Sequence, residues 1–76
     1  MRQNVMTKDR KMKLTLVLNS EDGVRRAGCR ASGIYRGHHI ERTASVPYEE
    51  FPGMQRELEI LVTGRYNAEC RKIDMV

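Results

Sequence analysis

The sequence predicts an α+β domain: a small antiparallel sheet of three to four strands with one helix packed on one face, in the order β-β-β-α-β. Three observations carry this. An Asp-Gly turn cluster follows an alternating apolar run. A second pair of alternating runs closes around Arg36-Gly37 in a register that sorts small apolar residues onto one face. A Pro and a Gly then bracket a segment of helical spacing, Pro52 to Thr63.

The elements follow in order. Residues 1–12 lack apolar periodicity and read as a flexible basic arm ahead of a single domain over residues 13–76. Leu14-Thr15-Leu16-Val17-Leu18 places Leu14, Leu16 and Leu18 on one face of a first strand. The strand stops at Asn19-Ser20-Glu21-Asp22-Gly23, where Asp-Gly supplies the left-handed conformation that a turn needs.

With Arg36-Gly37 as a two-residue turn, Tyr35 faces His38, Gly33 faces Ile40, Ala31 faces Arg42, Cys29 faces Ala44 and Ala27 faces Val46. One face of this hairpin then carries Ala27, Cys29, Ala31, Gly33, Tyr35, Ile40, Ala44 and Val46. The other carries Arg26, Arg30, Ser32, Ile34, His39, Glu41, Thr43 and Ser45. Such a split is what a sheet covered on one side requires. Arg42, on the apolar face, must reach an edge or pair with a carboxylate. The small residues around it leave room for a closely packed helix.

Pro52 at the first helical position and Gly64 just past the last mark the ends of that helix. Met54, Leu58 and Leu61 share one side, with Gln55, Arg56, Glu57 and Glu59 on or beside the other. Ile60 lies off the stripe, and Leu58–Val62 also reads as strand. Tyr66 to Met75, with Ala68, Cys70 and Ile73, reads as a closing strand.

The composition narrows the function classes. At 76 residues the chain is one small domain, and its single Phe, three Tyr and absent Trp call for a compact aliphatic core. Two cysteines exclude a disulfide-dense scaffold, and no apolar run approaches the roughly 20 residues of a membrane span. Neither a signal peptide nor a membrane partner is expected, and a cytoplasmic setting with reduced thiols is. The net charge of +4 equals the excess of Arg2, Lys8, Arg10, Lys11 and Lys13 over Asp9, so the body beyond is neutral. Within that body Arg25, Arg26, Arg30, Arg36 and Arg42 cluster in the hairpin, and Glu49, Glu50, Glu57 and Glu59 in and before the helix. A body polarised in this way orients its partners.

No constellation spells out a chemistry. Zinc at Cys29, Cys70, His38 and His39 would lack the closely spaced ligand pairs that structural zinc uses, and the two histidines point to opposite faces. A Cys29–Cys70 disulfide does not suit reduced thiols. Cys29 with a hairpin histidine would be the one nucleophile–base pair, and the register sets them at opposite ends. No catalytic residue, metal or cofactor is expected, and the chain reads as a non-enzyme. The arginines are the stronger signal, because Arg offers a planar fork for carboxylate or phosphate. The expected partner-binding residues are Arg25, Arg26, Arg30, Arg36 and His39, and the expected partner is an acidic protein surface. A second reading is a small nucleic-acid-binding protein that contacts phosphates with the same arginines and the N-terminal arm.

In size and layout, Ala27 to Met75 resembles small phage-encoded inhibitors of host machinery, such as the T7-type inhibitors of RNA polymerase and the anti-CRISPR proteins. The local echo is Val46-Pro47, where the hairpin's second strand runs out toward the helix. Arg26, Arg30 and Arg36 are similar in character to the polymerase inhibitor's positive face. The resemblance implies a phage-derived protein in the host cytoplasm that modulates or inhibits host or defence nucleic-acid-processing machinery by occupying its surface.

Overall fold

In a computed structural model that describes residues 12–75, the chain is a three-stranded antiparallel meander followed by one long helix. The strands are β1 (Lys13–Glu21), β2 (Val24–Tyr35) and β3 (His38–Pro47), in that spatial order. A single 3₁₀ turn, Tyr48–Glu50, leads into α1 (Phe51–Asp74). Most of the expected arm, residues 1–11, lies outside the described residues. Its last member, Met12, belongs with the domain, for it is partly buried against the core.

Both hairpins close through two-residue turns with positive φ at each central residue: Asp22 (53°) and Gly23 (79°), then Arg36 (51°) and Gly37 (81°). That is the signature of type I′ turns, whose twist matches that of the flanking strands. The register read from the sequence holds at every pair named, from Tyr35↔His38 to Ala27↔Val46. β1 adds to it with Leu14↔Ala31, Leu16↔Cys29 and Leu18↔Ala27. Residues directly opposite share a face, so all three leucines lie on the helix side.

The helix departs from the sequence reading. It does not stop at Gly64 but continues to Asp74, so Tyr66 to Asp74 is helix where a closing strand was expected. Leu58, Val62, Tyr66 and Cys70 recur every four residues and are all buried, forming one unbroken ladder against β2 and β3. Leu61, assigned to the buried side, is exposed, and Val62 takes its place. A mid-helix Gly costs about 1 kcal/mol relative to Ala, and burial of the Tyr66–Cys70 half outweighs it. Arg71 and Lys72 in the last turn complement the helix dipole.

The core therefore joins Cys29, Ala31, Tyr35 and Ile40 of the sheet to the helical ladder. Its edges are tied by polar contacts. The Tyr35 hydroxyl donates to the Asp74 carboxylate at 2.9 Å, and Arg36 Nε reaches the same carboxylate at 2.9 Å, fixing the β2–β3 turn to the helix C-terminus. Arg42, the exception on the apolar face, pairs with Glu69 on the helix at 2.9 Å. A hydrogen bond from Arg42, then one from Lys72, holds the Glu69 carboxyl below its ordinary range.

Two outcomes follow. If α1 runs through residue 64, where an added Cβ meets nothing within 4 Å, Gly64→Ala should raise the melting temperature by about 4–8 °C, or roughly 1 kcal/mol. A helix ending there in the left-handed conformation would be destabilised instead. For Glu69, a depressed folded-state pKa means stability that is present above the unfolded value and lost as pH falls through the folded one. The melting-temperature gap between wild type and Glu69→Gln should be open at neutral pH and close below the ordinary carboxylate range.

Candidate interaction surface

The helix lies over one side of the sheet and leaves the other bare. Alternation along the strands sets what the bare face displays, and the two registers arrange it in rows. Ile34 and His39 form the end row, near the β2–β3 turn. Next come Lys13, Ser32 and Glu41, then Thr15, Arg30 and Thr43, then Val17, Gly28 and Ser45, and then Asn19, Arg26 and Pro47.

Two arginines are held on this face. Arg26 Nε donates to Ser45 Oγ at 3.1 Å and its Nη2 to the Ser45 carbonyl at 2.9 Å. The guanidinium thus lies across the row occupied by Gly28. Arg30 Nε sits 3.2 Å from Glu41 Oε2, within ion-pair range. The same Nε is screened from solvent and makes no hydrogen bond of acceptable geometry. Arg30 is therefore positioned by charge, with 41% of its side chain still exposed on this face.

Of the five residues expected to bind a partner, Arg26, Arg30 and His39 share the open face. Arg25 and Arg36 do not. Arg25 is on the helix side, its guanidinium 5.3 Å from the centre of the Tyr48 ring. Arg36 caps the turn, paired with Asp74 and 5.6 Å from the Tyr35 ring centre. Lys13, counted with the arm's charge in the sequence reading, belongs to the open face through its pairing with Ser32.

The Cys29 and Cys70 side chains are both buried in the core. Burial pushes the Cys29 thiol above its ordinary range, with the Glu59 carboxylate adding to the effect. The thiol stays protonated at neutral pH, which opposes a nucleophilic role. Among the described residues no group of three or more His, Cys, Asp or Glu side chains is placed to hold a metal ion. No helix among them is long and apolar enough to cross a membrane. Comparison with protein-family models, curated proteins and solved structures finds no match to this chain.

Gly28 sets the flatness of the open face. A Cβ there would run into the Ala44 carbonyl oxygen and lie 2.6 Å from Ser45 Cα, both backbone atoms that cannot swing aside. Gly28→Ala should push β3 away from β2 and lower the melting temperature by more than about 8 °C. A variant melting with the wild type would mean that the strands are not in such close approach.

Proposed function

We propose that this protein is a non-catalytic binding module that presses its open sheet face against an acidic surface of another protein. The observation that carries the reading is Arg30, paired with Glu41 and still 41% exposed on a face that none of the described residues covers. A carboxylate from a partner would engage the exposed part of that guanidinium and compete with Glu41 for the fork. Arg26 and Lys13 flank it, while Ile34 and His39 at the end row supply apolar contact. The target we propose is host or defence machinery acting on nucleic acid, with inhibition by occupancy. Direct binding of nucleic acid is the weaker reading. Arg25, Arg36 and Arg42 are engaged within the chain, and the open face carries little aromatic surface for stacking.

Exchanging the charges of the central pair tests the assignment. Arg30→Glu with Glu41→Arg keeps the ion pair but moves its positive end from β2 to β3. The melting temperature should stay within about 3 °C, since exposed pairs contribute little. Capture of an acidic bacterial protein by the wild type should be lost in the exchanged variant. Retention of the same partner would remove Arg30 from the site. A salt titration against generic DNA and RNA separates the alternative. Phosphate contacts from Lys13, Arg26 and Arg30 would give a log–log slope of about −3, and the protein-binding reading expects negligible affinity at physiological salt.

A further inference from the structure

β1 holds three leucines that the fold leaves uncovered. Leu14, Leu16 and Leu18 point to the helix side, yet they are 44%, 56% and 62% exposed because α1 lies over β2 and β3. A shallow hollow separates them from the helix flank; Leu14 lines it with Ile60 and Gly64, and Ile60 is itself 63% exposed. β1 is also an edge strand. The Asp22-Gly23 turn makes Glu21 and Val24 the closing hydrogen-bonded pair, so the odd-numbered residues of β1 bond to β2. The N–H and C=O groups of Leu14, Leu16, Leu18 and Ser20 therefore face outward.

We propose that this edge joins two copies of the chain, β1 pairing antiparallel with β1 of a second copy about a two-fold axis at Val17 to give a continuous six-stranded sheet. The sequence of β1 complements itself in that register. Lys13 meets Glu21 of the partner copy, and Glu21 meets its Lys13, so both ends of the joint carry opposite charges. Leu16 meets Leu18 on the helix side, twice. Leu16, Leu18, Leu14 and Ser20 all enter hydrogen-bonded pairs, because their backbone groups are the ones that face outward. Parity is also kept: Leu16 meets Leu18 and Leu14 meets Ser20 on the helix side, and Thr15 meets Asn19 on the open one. The leucines of both copies become one apolar floor between two helices.

The strand lacks the usual devices against pairing. Between Lys13 and Glu21 it has no charge and no proline. The opposite edge differs, for β3 ends in Pro47 and carries His39 and Glu41 among its outward-bonding residues. An isologous joint of this kind is closed, so it ends at the dimer and does not propagate.

The proposal does not rest on the partner-binding reading above, and its test needs no partner. Sedimentation equilibrium of the full chain from about 1 to 200 μM should show a dimer. Lys13→Glu and Glu21→Lys each set like charges opposite one another at both ends, and each should weaken the dimer by about tenfold. The two substitutions together restore opposite charges and should return the constant to within about threefold of the wild type. Leu16→Pro removes an outward N–H while sparing the β1–β2 bonds, and it should yield a folded monomer by circular dichroism. A wild type that stays monomeric across the range overturns the proposal. If amides of Leu14, Leu16 and Leu18 in that monomer resist exchange, residues 1–11 are the occupant of the edge instead. A dimer indifferent to both single charge changes, and to Leu16→Pro, overturns it equally.

Discussion

The rest of the molecule depends on one contact, the ladder Leu58–Val62–Tyr66–Cys70 lying on a floor that includes Cys29 and Ala31. Small side chains on the sheet let the helix backbone approach closely, and Tyr66 then fills the centre with an aromatic ring that the composition otherwise barely supplies. A single helix is about 10–12 Å across and cannot roof three strands spaced about 4.8 Å apart while also sealing their flanks. Centred on β2 and β3, it leaves β1 bare on the helix side and the whole sheet bare on the other. Over the described residues the Cα envelope is only 14 Å thick, so the domain is a slab.

Charge is distributed to suit that slab. Arg36 with Asp74, Arg42 with Glu69 and Arg25 over Tyr48 hold the helix and its approach to the sheet at three separate places. Exposed contacts of this kind contribute little to stability, so their effect is chiefly to set position. The left-handed conformation of Arg36 is a case in point. It costs a residue with a Cβ about 1–2 kcal/mol, and it aims the guanidinium at the helix C-terminus. The arginines that looked like one basic cluster along the chain thus divide between two faces, with three on the helix side or at its end and two on the open side.

How far the fold could be read from the chain follows from the range of the forces involved. Turn chemistry and strand alternation are local, and they placed both turns and the β2–β3 register; of the two fates they left open to Arg42, an edge or a carboxylate, the structure shows the carboxylate of Glu69. Helix length was not legible from the same signals. Gly64 is a local stop sign, whereas Tyr66 and Cys70 declare their helical spacing only in relation to Leu58 and Val62, and their burial depends on the sheet beneath. The open face was legible in part: parity put Arg26, Arg30 and His39 together, while Arg25 and Arg36 differ from them by parity and by position at the tip. Lys13 was not legible as part of this face because its side is set by β1–β2 pairing. The exposure of Leu14, Leu16 and Leu18 depends in turn on where the helix lies across the sheet, which no local signal carries.

The edge and the open face bear on one another. In the β1–β1 register, Thr15 lies beside Asn19 of the second copy, so the row Thr43–Arg30–Thr15 continues into Asn19–Arg26–Pro47 across the joint. Arg30 of one copy and Arg26 of the other then share a row, three strand spacings or about 14 Å apart, and the two-fold repeats the arrangement. Between these rows runs a central one of Ser45, Gly28 and Val17 from each copy, and the Arg26 guanidinium of each copy lies across it, held by Ser45. A monomer offers two arginines on one small patch. The joined sheet would offer four, and contacts made by both halves would reinforce one another without any new residue. On the proposed reading, an acidic partner that is elongated or itself two-fold symmetric would engage both halves at once.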